Sequence, residues 1–497
     1  MRLIILLFSI GFICCNAASE KSESTTQDNS ATESSTSAIT RGEGETINQN
    51  TIIPDAVSGG SADFTVTING VTPGPTNLIG FYAESHFRAD SSNISPSGVV
   101  KFKKKEGYPQ GMYYVSLANN KFVQVILGED QKFEMNTKIA DINKSMVVKG
   151  SIENELLYGT MMFENKFNPE YKHITESLNR LTEGTPEYKE VVRQKKAKEK
   201  ERADYLENLY INHGDLLFTQ FKRAGQNPKI REGVADNIKV YHFRNEFWDN
   251  VDFSDRRLIR TPVIKNKLIR YMKELTPQNP DSVFASAKRL VDMTLTYPEY
   301  YKFFANWITI QYEPSKCTLM DPEAVFVKMA RNYFTRERAF WSDSMEVYAI
   351  QNRAMEMGQS LVGSKAPNVI STDPDGNQKA LLDLTSDYII VYMFNPQCEH
   401  CLVQTPQLVE WHKKWKNKGA DVFGIALDTN QEEWTAYLKK YGMNWTNVND
   451  PTNRSIYAKY YVDVTPELYV INKDRIIIGK NLKVDQIETI INRDKGL

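Results

Sequence analysis

The chain has 497 residues, which is more than one hydrophobic core usually supports, so two or three domains are expected. Its formal net charge of -1 gives no field that favours nucleic acid or an anionic membrane surface. Its five cysteines are too few and too scattered for a multi-bridge disulfide scaffold. The composition therefore predicts an ordinary multidomain protein with no nucleic-acid partner.

The N-terminus has the pattern of an export signal, predicted over residues 1–18. Arg2 precedes an apolar run, 3–13, that is too short to span a bilayer of about 30 Å. Two endings stay open: cleavage after Ala18, or a lipobox-like segment in which Cys15 is the acylated residue. In the second case the protein is a lipoprotein, and the lipid anchor is its expected membrane attachment.

Three changes of pattern divide the rest of the chain. Residues 19–60 are polar and lack aromatic residues, which predicts a disordered tether. Residues 61–154 alternate in hydrophobicity between turn residues, which predicts an antiparallel β-sandwich or open barrel. Residues 155–357 repeat apolar positions at helical spacing, and in 358–497 strands alternate with helices. The predicted order is therefore a β domain, an all-α domain and an α/β domain.

The chemistry of the chain is concentrated in Cys398-Glu399-His400-Cys401. This tetrapeptide follows an apolar strand, 388–394, and precedes an amphipathic helix. Two cysteines with this spacing at such a joint are arranged to open and close one disulfide. A zinc half-site is the rival interpretation, but it needs two further ligands, and no second cysteine or histidine cluster follows. The pattern predicts a redox couple with no metal and no other cofactor.

The C-terminal domain resembles thioredoxin-fold thiol-disulfide oxidoreductases of the TlpA/ResA type, which are exported bacterial proteins. Beside the CxxC motif, the likeness rests on Ala366-Pro367, on Pro406 in the following helix, and on Thr465-Pro466 before a strand. The resemblance implies that this last proline is cis and that its neighbour's backbone faces the disulfide. The order of the three domains resembles Bacteroidetes envelope proteins whose β and helical domains have no known function.

Position predicts different roles for the two cysteines. Cys398 lies at a helix N-terminus, where N–H groups and the helix dipole favour a thiolate, so it is expected to attack a substrate disulfide. Cys401, one turn deeper, is expected to resolve the mixed disulfide. His400 favours the Cys398 thiolate and Glu399 opposes it, so the direction of redox tuning stays open. Gln397 stands where thioredoxins have Trp.

Departures from the resembled family keep two alternatives open. Gln404 replaces a Glu that TlpA/ResA proteins often use as a buried proton acceptor, and Tyr392 replaces thioredoxin's buried aspartate. Without these carboxylates, Cys401 is expected to lose its proton slowly, to water or a farther base. One alternative is a non-catalytic envelope binding protein with a vestigial or regulatory thioredoxin fold. The other is a peroxiredoxin-like peroxidase, although Asn395 stands where its peroxidatic loop has Thr or Ser.

The expected function is thus disulfide reduction or exchange in the cell envelope. The protein is expected to face the periplasm or to be anchored in the outer membrane. Its expected partners are protein thiols and disulfides, together with an electron donor or acceptor that the sequence does not identify.

Overall fold

The computed structural model describes residues 56–497. The predicted signal peptide, the lipidation candidate Cys15 and most of the tether 19–60 lie outside the described residues. The chain divides into two compact units, the first ending at Arg270 and the second running from Tyr271 to Leu497. The division falls within the predicted helical domain, 155–357, so the helices of that segment belong to two units. The predicted domain limits stay a prediction.

The first unit begins, from residue 56 on, with two β-sheets. Their strands are β1 (Ala62–Asn69), β2 (Gly74–Tyr82), β3 (Ser85–Ile94), β4 (Val99–Lys104), β5 (Gly111–Ser116), β6 (Phe122–Leu127), β7 (Glu134–Lys138) and β8 (Val147–Lys149). One sheet has the order β4-β1-β7-β8 and the other β3-β2-β5-β6. The predicted β fold is confirmed, but a wholly antiparallel arrangement is wrong because β1 pairs in parallel with β7. The chain crosses between the two sheets repeatedly, since β4 returns to the first sheet before β5 and β6 complete the second.

Aromatic side chains form the core between these strands. Phe64 of β1 is fully buried and stacks on Phe102 and Phe133, with ring centroids 5.2 and 5.0 Å away. Its ring also meets Tyr108, which in turn contacts Tyr113 of β5 at 6.3 Å. Alternate residues of β1 are buried, as expected for a strand with one face on the core.

Helices complete the first unit. They are α1 (Ile152–Leu178), α2 (Pro186–Asn212), α3 (Leu217–Ala224), α4 (Asp236–Asn245) and α5 (Pro262–Ile269). The Ser151 side chain caps α1 by accepting from the Asn154 N–H. The Asn154 side chain bonds both the N–H and the carbonyl of Ile126 at 2.8 Å, which fixes the helix start to β6. Across residues 56–497, every helix is too short or too polar to cross a membrane.

The second unit opens with a helical segment of residues 280–357. Its helices are α6 (Pro280–Asp292), α7 (Pro298–Gln311), α8 (Pro322–Tyr333) and α9 (Ser344–Met357). Proline at the first position of α6, α7 and α8 suits a helix start, since no intrahelical partner exists there for an N–H. The aromatic residues Tyr300, Phe304 and Trp307 of α7 are at most 4% exposed, so they belong to the core.

An α/β domain follows in the same unit. Its elements are β9 (Ile370–Thr372), β10 (Gln378–Ala380), β11 (Tyr388–Phe394), α10 (Glu399–Trp415), β12 (Ala420–Leu427), α11 (Gln431–Tyr441), β13 (Thr446–Asp450), α12 (Arg454–Tyr460), β14 (Glu467–Ile471), β15 (Ile477–Gly479) and α13 (Ile487–Asp494). Five strands form a sheet in the order β13-β12-β11-β14-β15. β12 runs parallel to β11, whereas β14 runs antiparallel to it. The predicted mixed α/β fold is confirmed.

The central strand β11 determines where the site lies. All its residues are buried, and they alternate between two hydrophobic clusters on opposite faces of the sheet. Tyr392 belongs to the cluster beneath α10, whereas Val391 belongs to the cluster on the other face. Because α10 begins just beyond the carboxyl end of β11, residues of the connecting turn reach the edge of the sheet.

Candidate redox site

A hydrogen-bonded turn places Cys398 at the N-cap of α10. The Asn395 carbonyl accepts from the Cys398 N–H at 3.1 Å, and the Asn395 Oδ1 accepts from the Gln397 N–H at 2.8 Å. The Asn395 Nδ2 donates to the Leu427 carbonyl at 3.0 Å, which ties the turn to the end of β12. These three hydrogen bonds of Asn395 therefore hold Cys398 at the N-terminus of α10.

The two cysteines are free thiols in contrasting environments. Burial acts to raise the pKa of Cys398, but hydrogen bonds from the Thr465 side chain, the Cys401 thiol and the N–H groups of Cys401 and His400 outweigh it, and the net pKa is lowered. Cys401 is fully buried, and burial raises the pKa of its thiol to about 12. The geometry thus favours a thiolate at Cys398 and a thiol at Cys401.

The loop that contains Thr465 and Pro466 contacts Cys398. The Thr465–Pro466 peptide bond is cis. The Cys398 Sγ lies 3.0 Å from the Thr465 carbonyl oxygen, to which its thiol donates. The structure therefore brings together residues that are 67 positions apart in the sequence, in the arrangement that the resemblance implied.

The residues predicted to tune the couple lie on the surface. Gln397, Glu399 and His400 are all exposed. The Gln397 Nε2 donates to Glu433 Oε1 at 2.9 Å, so this side chain reaches the start of α11. His400 helps to lower the pKa of Cys398 through its backbone N–H. Redox tuning by these three side chains stays a prediction.

A chain of buried hydroxyl groups lies beneath Cys401. The Thr405 Oγ1 is 2.7 Å from the Tyr392 hydroxyl and 2.7 Å from the Tyr437 hydroxyl. Cys401, Tyr392 and Tyr437 belong to the same core cluster, and Thr405 follows Cys401 by one helical turn. Tyr392, which stands where thioredoxin has its buried aspartate, is therefore part of a network of hydroxyl groups. By contrast, the Gln404 Oε1 is buried and has no hydrogen-bond partner within residues 56–497.

The central hydroxyl of this chain is expected to stabilise the fold. Thr405→Val keeps the shape but leaves the Tyr392 and Tyr437 hydroxyls without their shared partner. Because unsatisfied buried polar groups cost about 1–3 kcal/mol each, we expect the free energy of unfolding to fall by about 2 kcal/mol. Urea denaturation measures it. The matched control is Thr435→Val in α11, whose hydroxyl bonds carbonyls of its own helix, and an equal loss in both variants would contradict the prediction.

The sequence did not predict a buried carboxyl beside the cis peptide. Glu467 directly follows Pro466, is 7% exposed, and has its pKa raised to about 8, chiefly by burial. It shares a face of β14 with Tyr469, whereas Leu468 packs in the cluster that contains Cys401. Glu467 therefore lies on the face of the sheet away from Cys401, and the expected slow loss of the Cys401 proton stays a prediction. A charged residue opening an apolar strand was the available signal.

Comparison with known families divides the chain in a similar way. Residues 362–480 match the AhpC/TSA family, and residues 193–348 match a domain of unknown function, DUF5106. The first match contains the CxxC turn and the Thr465–Pro466 loop. The second covers much of the predicted helical domain and brings no known chemistry.

Relatives of the C-terminal region are thiol-disulfide oxidoreductases. The protein named thiol-disulfide oxidoreductase ResA from Bacillus thuringiensis (strain Al Hakam) is 26% identical over 136 residues, which are 27% of this chain and 78% of that protein. The ResA protein of Geobacillus kaustophilus is 23% identical over 128 residues, 25% of this chain and 73% of the relative.

Solved structures also resemble parts of this chain. A domain of a possible thiol-disulfide isomerase from Cytophaga hutchinsonii is 31% identical, with 27% of this chain and 94% of that chain covered and a TM-score of 0.26. A thioredoxin-like protein from Bacteroides caccae is 20% identical, with 54% of this chain and 97% of that chain covered and a TM-score of 0.45. With the sheet, the CxxC turn and the ResA relatives together, the C-terminal region of this chain is a thioredoxin-like domain of the thiol-disulfide oxidoreductase type, matching the AhpC/TSA family.

Proposed function

We propose that this protein reduces or exchanges disulfide bonds of other proteins in the cell envelope, using Cys398 and Cys401 as its redox couple. The observation that carries the proposal is the contact between the Cys398 Sγ and the Thr465 carbonyl, 3.0 Å apart, at the N-terminus of α10. A partly exposed thiol with a lowered pKa beside a buried thiol with a raised pKa supports a division into attacking and resolving cysteines.

The first step forms a mixed disulfide. The Cys398 thiolate attacks one sulfur of the substrate disulfide, a Cys398–substrate S–S bond forms, and the other substrate sulfur leaves as a thiolate that takes a proton. The N–H groups at the start of α10 stabilise the attacking thiolate before this step.

The second step releases the reduced substrate. The Cys401 sulfur attacks the Cys398 sulfur, the intramolecular disulfide forms, and the second substrate sulfur leaves and is protonated. Two electrons pass from the cysteines to the substrate, so an electron donor must later reduce the Cys398–Cys401 bond. The Cys401 proton has to leave a fully buried site, and the Tyr392–Thr405–Tyr437 hydroxyl chain is the polar route beside it.

Reduction of insulin by dithiothreitol tests the proposal. We expect the wild-type chain to accelerate insulin precipitation at least tenfold over dithiothreitol alone, and the Cys398→Ser variant to give no acceleration. The Cys317→Ser variant is the matched control, because Cys317 is also a partly exposed free thiol but lies outside the redox domain, in the helical segment. Equal rates for wild type and Cys398→Ser would leave the non-catalytic binding protein as the better account.

A peroxidase is the second candidate, because the matched family bears the AhpC/TSA name. The geometry disfavours it. Asn395 occupies the position of the peroxidatic Thr or Ser, and both ends of its side-chain amide are engaged in holding the turn. Consumption of hydrogen peroxide by the reduced protein at a rate above that of free cysteine would reverse this preference.

The envelope location rests on the predicted export signal and on the resemblance to exported proteins of the TlpA/ResA type. With Cys15 acylated, the protein is a lipoprotein that faces the periplasm or is anchored in the outer membrane. Radiolabelled or clickable palmitate tests this, since Cys15→Ala would lose the label if Cys15 is the acylated residue.

A further inference from the structure

Four ionisable side chains are buried together in the second unit. They are Asp321 and Glu323 at the start of α8, Glu467 at the start of β14, and Lys480 just after β15, and their exposures are 1%, 3%, 7% and 0%. The Lys480 Nζ lies 3.7 Å from Asp321 Oδ1 and 3.4 Å from Glu323 Oε1, which are ion-pair distances. This buried ionic cluster joins the helical segment 280–357 to the redox domain.

Hydrogen bonds attach the α8 carboxylates to the redox domain. The Asp321 Oδ2 accepts from the Val362 N–H at 2.8 Å, and the Glu323 Oε1 accepts from the Asn481 Nδ2 at 3.1 Å. Asp321 adopts a left-handed backbone conformation, with φ of 59°. The two carboxylates therefore attach the start of α8 to Val362 and Asn481.

The cluster carries more acid than base. Three carboxyl groups face one ammonium group, with the Tyr469 ring 5.1 Å from the Lys480 Nζ. In the described part of the chain, the Asp321 Oδ1 and the Glu467 Oε2 find no hydrogen-bond partner. A cluster with this imbalance is a poor stabiliser, because apolar residues of similar volume would avoid the cost of desolvating the charges. Its presence therefore points to a role other than stability.

The cluster is continuous with the redox site. Glu467 directly follows Pro466, and the preceding carbonyl, that of Thr465, is 3.0 Å from the Cys398 Sγ. Glu467 of the ionic cluster is thus only two residues away from Thr465, which contacts the attacking Cys398.

The helical segment also holds the other end of this loop. The Arg353 Nε of α9 donates to the Tyr461 hydroxyl at 2.6 Å, and Arg353 is paired with Glu313 at 2.7 Å. Tyr461 packs in a core cluster with Phe326 and Met357, of α8 and α9. The Tyr461 end of loop 461–467, which carries the cis peptide, is therefore held directly by α8 and α9, whereas Glu467 at its other end is influenced electrostatically by Lys480 and Glu323.

We propose that Asp321 and Glu323 are positioning residues of the redox site, which hold loop 461–467 against Cys398 through Lys480 and Glu467. This inference rests on the proposed function and gives the helical segment 280–357 a part in it. Because the cluster is acid-rich, its protonation changes the charge directly behind the loop, so the reactivity of Cys398 depends on the ionisation of these side chains.

The rate of Cys398 alkylation by iodoacetamide, measured against pH on the full reduced chain by peptide mass spectrometry, tests the inference. Burial raises the pKa of Glu467 to about 8, and it also raises the pKa of Asp321. We therefore expect the wild-type profile to contain an inflection near pH 8 besides that of the Cys398 thiol itself. Glu467→Gln is expected to remove it, and Glu323→Gln to move it to lower pH, because a neighbouring negative charge is lost.

The matched control is Asp281→Asn, which removes an exposed carboxylate that pairs with Lys328 of α8 and should leave the profile unchanged. Both cluster variants remove a carboxyl from an acid-rich site and keep its shape, so they are expected to fold. If one variant does not fold, the wild-type profile and the profile of the other variant still test the inference. A wild-type profile with the thiol inflection alone, or identical profiles in wild type and variants, overturns the inference. Since alkylation needs no disulfide substrate, this result is independent of the insulin assay.

Discussion

Replacing Cys401 by serine is expected to turn the protein into a trap for its substrates. Cys398 can still form the mixed disulfide, but the sulfur that resolves it is gone, so the covalent intermediate accumulates. Serine is close in shape to cysteine, and the buried site is expected to accommodate it. We expect at least a hundredfold more covalent complex than in wild type, measured as high-mass bands on non-reducing gels after incubation with an oxidised protein mixture.

The double variant Cys398→Ser/Cys401→Ser is the control for this experiment. It retains Cys317, so any complex formed through that thiol appears in the control as well. Covalent complexes in the double variant at the level of Cys401→Ser would show that Cys398 is not the attacking residue. Reduction by dithiothreitol should release the trapped proteins and so identify the substrates.

Lys480→Met is expected to lower the free energy of unfolding more than Thr405→Val does. Methionine fills the volume of the side chain but leaves three buried carboxyl groups without their cation. Removing one partner of a buried ionic cluster costs about 3–5 kcal/mol, so a loss of this size is expected near pH 9. Urea denaturation monitored by circular dichroism measures it. Lys328→Met, which removes an ammonium from the exposed pair of α8, is the control and should change stability little.

The effect of Lys480→Met should depend on pH with a defined sign. Glu467 has an ordinary pKa of 4.5 and a folded pKa of about 8, so between these values the folded state binds the extra proton. Stability linked to this proton is present below about pH 4.5 and is lost as the pH rises towards 8. In Lys480→Met the Lys480 ammonium is gone, so ionising the three buried carboxyls costs more free energy than in the wild type. The difference between variant and wild type should therefore be smallest near pH 5 and largest near pH 9, and a difference independent of pH would contradict this account.

The local sequence was sufficient to predict the redox couple and its fold. The apolar run of β11 and the amphipathic helix after it predict a buried strand followed by α10, because residue periodicity follows from backbone geometry. The spacing of Cys398 and Cys401 places one thiol at the helix start and the other a turn deeper, and their opposite pKa shifts follow from that placement. These features depend on short stretches of chain.

Features that depend on long-range contacts needed the tertiary structure. The parallel pairing of β1 with β7 and the hydroxyl chain from Tyr392 to Tyr437 join residues far apart in the sequence. The burial of Glu467 depends on its neighbours across the fold, since a glutamate that opens a strand is ordinarily expected at the surface.

The sequence by itself determined which chemistry we propose for this protein, because Cys398 and Cys401 are adjacent on one helical turn. Only the tertiary structure decided what surrounds that chemistry. It brings the start of α8, about 75 residues upstream of the couple, within ion-pair distance of Lys480, and both Lys480 and Glu323 act electrostatically on Glu467. Desolvation and Coulomb interactions depend on distance in space, so a pattern along the chain does not reveal them.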